Sequence, residues 1–217
     1  CHHRGAVGPM AGIVSPSMPV WVLDDATSGR RSACTLNEGL GKVLRYGAYG
    51  PEVVERLQWM SRVLGPLLQT AVRAHGTVDV KAVITQMLQM GDEGHNRNRA
   101  GSLMALRDLS PAIVAVDAPS SDIAAVLAFI GGNEHFFLNL GMPTAKLALD
   151  AARDVPGSTM LTVMSRNGTE FGIQTAGTGD RWFTGPAQTP VGLFLGDYGP
   201  DDANPDIGDS AIMETYG

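Results

Sequence analysis

The spacing of apolar positions changes twice along the chain, at Pro51 and at Pro156. Before Pro51 the pattern is strand-like. "MPVWVLD" (18–24) carries Val and Trp, "DATSGRR" is turn-rich, and "SACTL" (32–36) predicts a return strand, so the two form a hairpin. Residues 39–46 predict a helical turn closed by Gly47. From Pro51, placed where a first helical residue tolerates proline, Val54, Leu57, Met60, Val63, Leu64 and Leu67 recur at helical spacing. Pro66 is expected to kink or end this helix. Further helices are predicted over about 78–90, 94–108, 122–130 (capped by Ser120 or Ser121) and 134–152, the last interrupted at Pro143.

Past Pro156-Gly157 the period returns to that of strands. "STMLTVMSR" and "TEFGIQT" flank Asn167-Gly168, a dipeptide that tolerates the positive φ of a two-residue type I′ turn. The expected strands are 159–166 and 169–175. "DRWFT" and "VGLFL" predict further strands, and "GDYGPDDANPDIGDS" predicts loop. The order of elements predicts an α+β fold with a central all-helical subdomain inserted between β-rich flanks. The corresponding domains are a β-rich N-terminal region (1–50), a helical subdomain (51–154), and a β-rich C-terminal region (155–217) that packs with residues 1–50.

Composition narrows the class. With 217 residues, 44% hydrophobic and 18% charged, the chain can bury a core. A net charge of −6 and the lack of a basic run give no footing for nucleic acid or an anionic membrane surface. No apolar stretch reaches spanning length. Two cysteines, Cys1 and Cys34, make no disulfide framework, which places the chain in a reducing, cytoplasmic setting. Asn167-Gly168-Thr169 fits a glycosylation sequon, read here as a chance match. The chain opens at "CHHRGAVGPM" without Met, as if inside a domain, so a piece of something longer is expected.

The polar residues gather in Gly-flanked clusters. "MGDEGHNRN" packs Asp92, Glu93, His95, Arg97 and Asn98 behind an apolar run. As a helix start it would be a solvated end, with Glu93 and Arg97 as a surface pair. As a site, His95 moves a proton, Asp92 or Glu93 orients it, and Arg97 grips a carboxylate or phosphate through two hydrogen bonds. "CHHRGAVGPMAG" brings His2 and His3, whose spacing matches no zinc signature; if extended, they face opposite ways. "NEGLGKVLRYGAYG" offers Asn37, Glu38, Lys42 and Arg45; the two cations suit a phosphate, but no Ser or Thr follows Lys42 as a Walker motif requires. Arg166 and Asn167 stand at the hairpin end. Asn204 and Asp209 lie in an acidic loop without EF-hand order. Each cluster has a structural alternative: a tight turn, a solvated basic face or a capped turn. Together they predict a site assembled from several loops.

These clusters, with "FFLNLGM" and "GDRWFTGPA", resemble in order the YlbE-like family, which includes the AllG-type subunit of bacterial oxamate carbamoyltransferase. The resemblance runs through essentially the whole chain. It implies an α+β fold with a helical subdomain and members longer at both ends. It also implies partner subunits, one similar to acyl-CoA synthetases. The reaction implied links carbamoyl phosphate, oxamate, oxalurate and phosphate in allantoin breakdown. No cofactor or metal is implied. The expected ligand is a small molecule with a carboxylate or phosphate, and a homo-oligomer is possible. The alternatives are a non-catalytic scaffold for the synthetase-like subunit, and an amide hydrolase using Cys1 or Cys34.

Overall fold

In the computed structural model of the chain, the residues described are 2–7, 15–36, 49–91, 97–166, 169–189, 191–194, 196–197 and 199–202. Strands β1 (Ala6–Val7), β2 (Val20–Asp24) and β3 (Arg31–Thr35) form one sheet in the order β1-β3-β2. The predicted hairpin is the antiparallel β2–β3 pair, and β1 adds to β3 in parallel. A second, antiparallel sheet holds β4 (Leu161–Arg166), β5 (Glu170–Thr175) and β6 (Phe183–Pro186). Between the sheets in sequence lie α1 (Pro51–Trp59), α2 (Gly65–His75), α3 (Val80–Gln89), α4 (Asn98–Val114), α5 (Ser120–Gly132) and α6 (Leu138–Ala151). The α+β class with a helical middle is the one observed.

Helix α6 is the hub. It packs against all three strands of the first sheet and against β4 of the second. Leu138 to Pro143 are buried without a break. The adjacent rings of Phe136 and Phe137, both fully buried, enter two different core clusters. Phe137 joins Met87, Met104 and Leu138; Phe136 joins Leu64, Leu109, Ile113 and Ile130. Trp21 of β2 packs against both clusters and ties the first sheet to the helices.

Several local expectations give way. Pro66 does not end the helix at its own position. A π-helical turn, Met60–Leu64, with Gly65 N–H bonded to Met60 C=O, precedes it, and α2 then begins with the proline in its first turn. The wider turn and the terminal position remove the i−4 clash that proline would otherwise make. Pro111 and Pro143 lie inside α4 and α6, which run through them. The Pro143 carbonyl accepts a 2.8 Å hydrogen bond from Ser32 Oγ of β3, so tertiary contact supports the helix where local preference opposes it. Neither Ser120 nor Ser121 caps α5. The helix begins at Ser120, its N-cap position is Pro119, and no side chain bonds there.

The second hairpin also departs from the sequence pattern. Its last pair is Arg166 with Phe171, whereas a two-residue turn would pair Arg166 with Thr169. On its other side, β5 is closely packed at Gly172. Gly172 pairs with Thr184, and a Cβ on Gly172 would lie 3.0 Å from Trp182 Cε3. Sliding the strand by one residue would put a side chain there. "VGLFL" gives no strand among the described residues, and Val191 and Leu193 are almost fully exposed.

Candidate functional site

The segment "MGDEGHNRN" is bounded by two elements whose ends are well defined. Helix α3 starts at Asp79, whose carboxylate accepts from Ala82 N–H at 3.0 Å. It stops at Gly91, which takes φ 87°, a backbone state that glycine enters without strain. Helix α4 begins at Asn98, seventeen residues long, with no side-chain cap and no acidic residue in its first turn. Its first N–H groups therefore present the positive end of a long helix dipole, with no carboxylate of the helix's own first turn to offset it. Arg97, just before the helix, donates through Nε to the Gly91 carbonyl and so ties the two ends of the segment together.

Beside this helix start opens a cleft of about 500 Å³, lined by Arg97, Asn98, Arg99, Ala100 and Leu103 of α4 and by Glu134 and His135 ahead of α6. Its two guanidiniums differ. Arg99 forms an ion pair with Glu134. Arg97 meets no carboxylate among the described residues, and its bond to Gly91 leaves the two terminal amino groups of the fork. Asn98 is only 1% exposed, and among the described residues neither Oδ1 nor Nδ2 has a hydrogen-bond partner. Each such buried orphan costs about 1–3 kcal/mol. Just below, Ser102 Oγ accepts from Phe137 N–H at 3.0 Å and donates to the Glu134 carbonyl at 3.3 Å. These bonds fix the Glu134–Phe137 wall against α4.

Of the sequence-predicted residues, Arg97 and Asn98 come together here. Asp92, Glu93, His95, Asn37, Glu38, Lys42, Arg45, Asn167, Asn204 and Asp209 lie outside the described residues. Arg166 ends β4, and its side chain also lies outside them. His2 and His3 sit in a 3-10 turn, not a strand, with ring centroids 5.1 Å apart.

His2 belongs to a second cluster, none of whose residues lines the cleft. Its Nδ1 lies 3.3 Å from Lys146 Nζ, and its ring meets Trp182 edge to face at 5.5 Å. Lys146 is buried in α6 and paired with Asp150, one turn on, at 3.0 Å. Burial first, and the Lys146 ammonium second, push the His2 pKa below its ordinary value. Reading the sequence missed Lys146, although a single Lys in "LNLGMPTAKLALDA" with an acid at i+4 was a usable signal. It also missed Arg99, Glu134 and His135, which come from two segments far apart in sequence.

A second concavity, about 390 Å³, lies between α1 and α5, with Arg56 stacked 5.0 Å over Phe129. None of the sequence-predicted residues lines it. Cys34, considered as a nucleophile, is fully buried in β3. Among the described residues no group of His, Cys, Asp and Glu is arranged to hold a metal, and no helix is long and apolar enough to cross a membrane.

A family model described as oxamate carbamoyltransferase subunit AllG matches residues 1–210. Over 218 residues the chain is 48% identical to the Escherichia coli K12 protein of that name, covering 100% of this chain and 52% of that protein. It is 40% identical over 217 residues to the uncharacterized protein YahG of the same organism, covering 100% of this chain and 46% of YahG. A crystal structure of a conserved protein of unknown function from Enterococcus faecalis V583 superposes with a TM-score of 0.90 at 45% identity. That match covers 99% of this chain and 52% of the other. The chain thus spans about half the length of the relatives it matches.

Proposed function

The chain belongs to the oxamate carbamoyltransferase subunit AllG family, and from that premise we propose that it forms the substrate-binding portion of a carbamoyl-transferring subunit that works with partner subunits. The reaction proposed is transfer between carbamoyl phosphate and oxamate, or its reverse on oxalurate, at the end of allantoin breakdown. The amide nitrogen of oxamate attacks the carbonyl carbon of carbamoyl phosphate. A C–N bond forms, the C–O bond to phosphate breaks with its electron pair going to phosphate, and the nitrogen loses a proton.

Each demand has a candidate group. The oxamate carboxylate needs a cation with two aligned donors, which is the role of Arg97. The departing phosphate needs neutralising, a role for Lys42 and Arg45. The proton needs an acceptor, a role for His95 with Asp92 or Glu93 orienting it. The observation that carries the reading is the state of Arg97. It stands at an uncapped helix N-terminus in a cleft, its fork unclaimed by any carboxylate among the described residues, while its neighbour Arg99 is already paired.

The test uses the full-length protein with its partner subunits and follows phosphate release from carbamoyl phosphate plus oxamate above the spontaneous rate. Arg97→Lys keeps the charge and loses the planar fork. It should lower kcat/KM for oxamate about 10- to 100-fold, the effect of losing one hydrogen bond to a charged group. Near-normal kinetics in both Arg97→Lys and His95→Asn would refute these roles. No oxamate-dependent phosphate release from the assembled wild type would refute the reaction.

A further inference from the structure

We infer that Asn98 is a specificity-determining residue that recognises the carboxamide of the substrate through a reciprocal pair of hydrogen bonds. The inference rests on the reading of the cleft just given and adds the chemical group that is read beside the carboxylate. Two observations carry it. Asn98 is the most buried polar side chain lining the cleft, and both its amide atoms lack partners among the described residues. It also directly follows Arg97, a guanidinium that meets no carboxylate among the described residues.

A buried side-chain amide with both ends open is an unusual group to keep beside an apolar core. Its Oδ1 accepts and its Nδ2 donates, in one plane. The partner that satisfies both at once is another amide, oriented head to tail. An α-keto acid offers an acceptor but no donor, and a dicarboxylate offers acceptors alone. A ligand carrying a carboxylate for Arg97 and an adjacent primary amide for Asn98 uses both groups. Oxamate has that pair. The Asn98 Oδ1 would hold one N–H of the nucleophilic nitrogen, and Nδ2 would hold the neighbouring carbonyl. The other N–H would remain for the proton acceptor. Selectivity follows from the orphan: pyruvate and oxalate share the carboxylate and much of the shape, but each leaves Oδ1 unpaired in a place water reaches poorly.

The experiment measures binding of oxamate, pyruvate and oxalate to the full-length protein by calorimetry, for wild type, Asn98→Leu, Asn98→Ala and Arg97→Lys. Wild type should favour oxamate over pyruvate by about tenfold or more, the scale of one or two net hydrogen bonds. Asn98→Leu should bring the two ligands to within about twofold. It should also melt at a higher temperature without ligand, because it replaces a buried amide that has no partner among the described residues by an apolar side chain of the same branching and heavy-atom number. Asn98→Ala keeps the comparison if the leucine variant does not fold. Arg97→Lys should weaken all three ligands together and preserve the preference. If wild type binds oxamate but not in preference to pyruvate, or if the preference survives in the Asn98 variants, the role of Asn98 is overturned while the carboxylate site stands. If oxamate does not bind at all, both fall.

Discussion

Gly101 lies one turn into α4 from Arg97 and Asn98, where the helix presses onto the core. A Cβ built there would lie 2.7 Å from Phe137 Cδ1 and Cγ and 3.0 Å from Met87 Sδ. Both neighbours are fully buried, so neither can swing into solvent. Gly101→Ala therefore sets two effects against each other. Helix propensity favours Ala by about 1 kcal/mol in a helix interior. Overpacking a filled core costs about 1–3 kcal/mol. The aromatic ring is the closest neighbour and cannot give, so the clash should win. The net should be about 1 kcal/mol of destabilisation, which is about 2–4 °C in Tm for a domain of this size. Gly132→Ala is the control: it ends α5, where a Cβ would meet nothing within 4 Å. That variant should be neutral or slightly more stable. Urea unfolding followed by circular dichroism reads both, with the midpoint shifting and the slope unchanged. Adding Phe137→Leu to Gly101→Ala should destabilise by less than the sum of the single losses, because the pair share one space. If Gly101→Ala proves as stable as wild type, α4 does not pack on Phe137 as described, and the cleft geometry built on it fails too.

Lys146→Ala leaves Asp150 uncompensated in a mostly buried site and should cost about 3 kcal/mol in urea unfolding, whereas Lys146→Met with Asp150→Leu should recover most of that loss. The depressed His2 pKa gives a sign for acid stability. The unfolded chain takes up the proton near pH 6.5 and the folded chain only lower, so this contribution is present above about 6.5 and is lost as pH falls through the folded value. Nuclear magnetic resonance titration should find His2 below its ordinary pKa, and closer to it in Lys146→Met; an unshifted His2 would contradict the packing. Asp79→Ala removes the cap of α3 and should cost about 1 kcal/mol by thermal unfolding, with the loss reduced in Asp79→Ser.

Local signals were legible where the chain obeys one rule at a time. The switch of period at Pro51 and Pro156 marked the helical block, because a buried helical stripe and a half-buried strand demand different spacings of the same apolar residues. Gly91 ending α3 and Pro51 opening α1 were likewise local. Arg97 and Asn98 stood out because polar groups crowd behind an apolar run. What the sequence could not disclose is what neighbours distant in the chain impose. Ser32 and the two sheets hold α6 together through Pro143, and the second hairpin closes on the pair Arg166 with Phe171, not on the register that a two-residue Asn167-Gly168 turn would set. The same holds for the cleft. Only when α4 docks on the segment before α6 does Glu134 take up Arg99, while, among the described residues, Arg97 meets no carboxylate and the enclosed Asn98 amide has no partner. Pairing and burial are properties of neighbours in space, so which of two nearby arginines Glu134 takes up is decided by the tertiary structure.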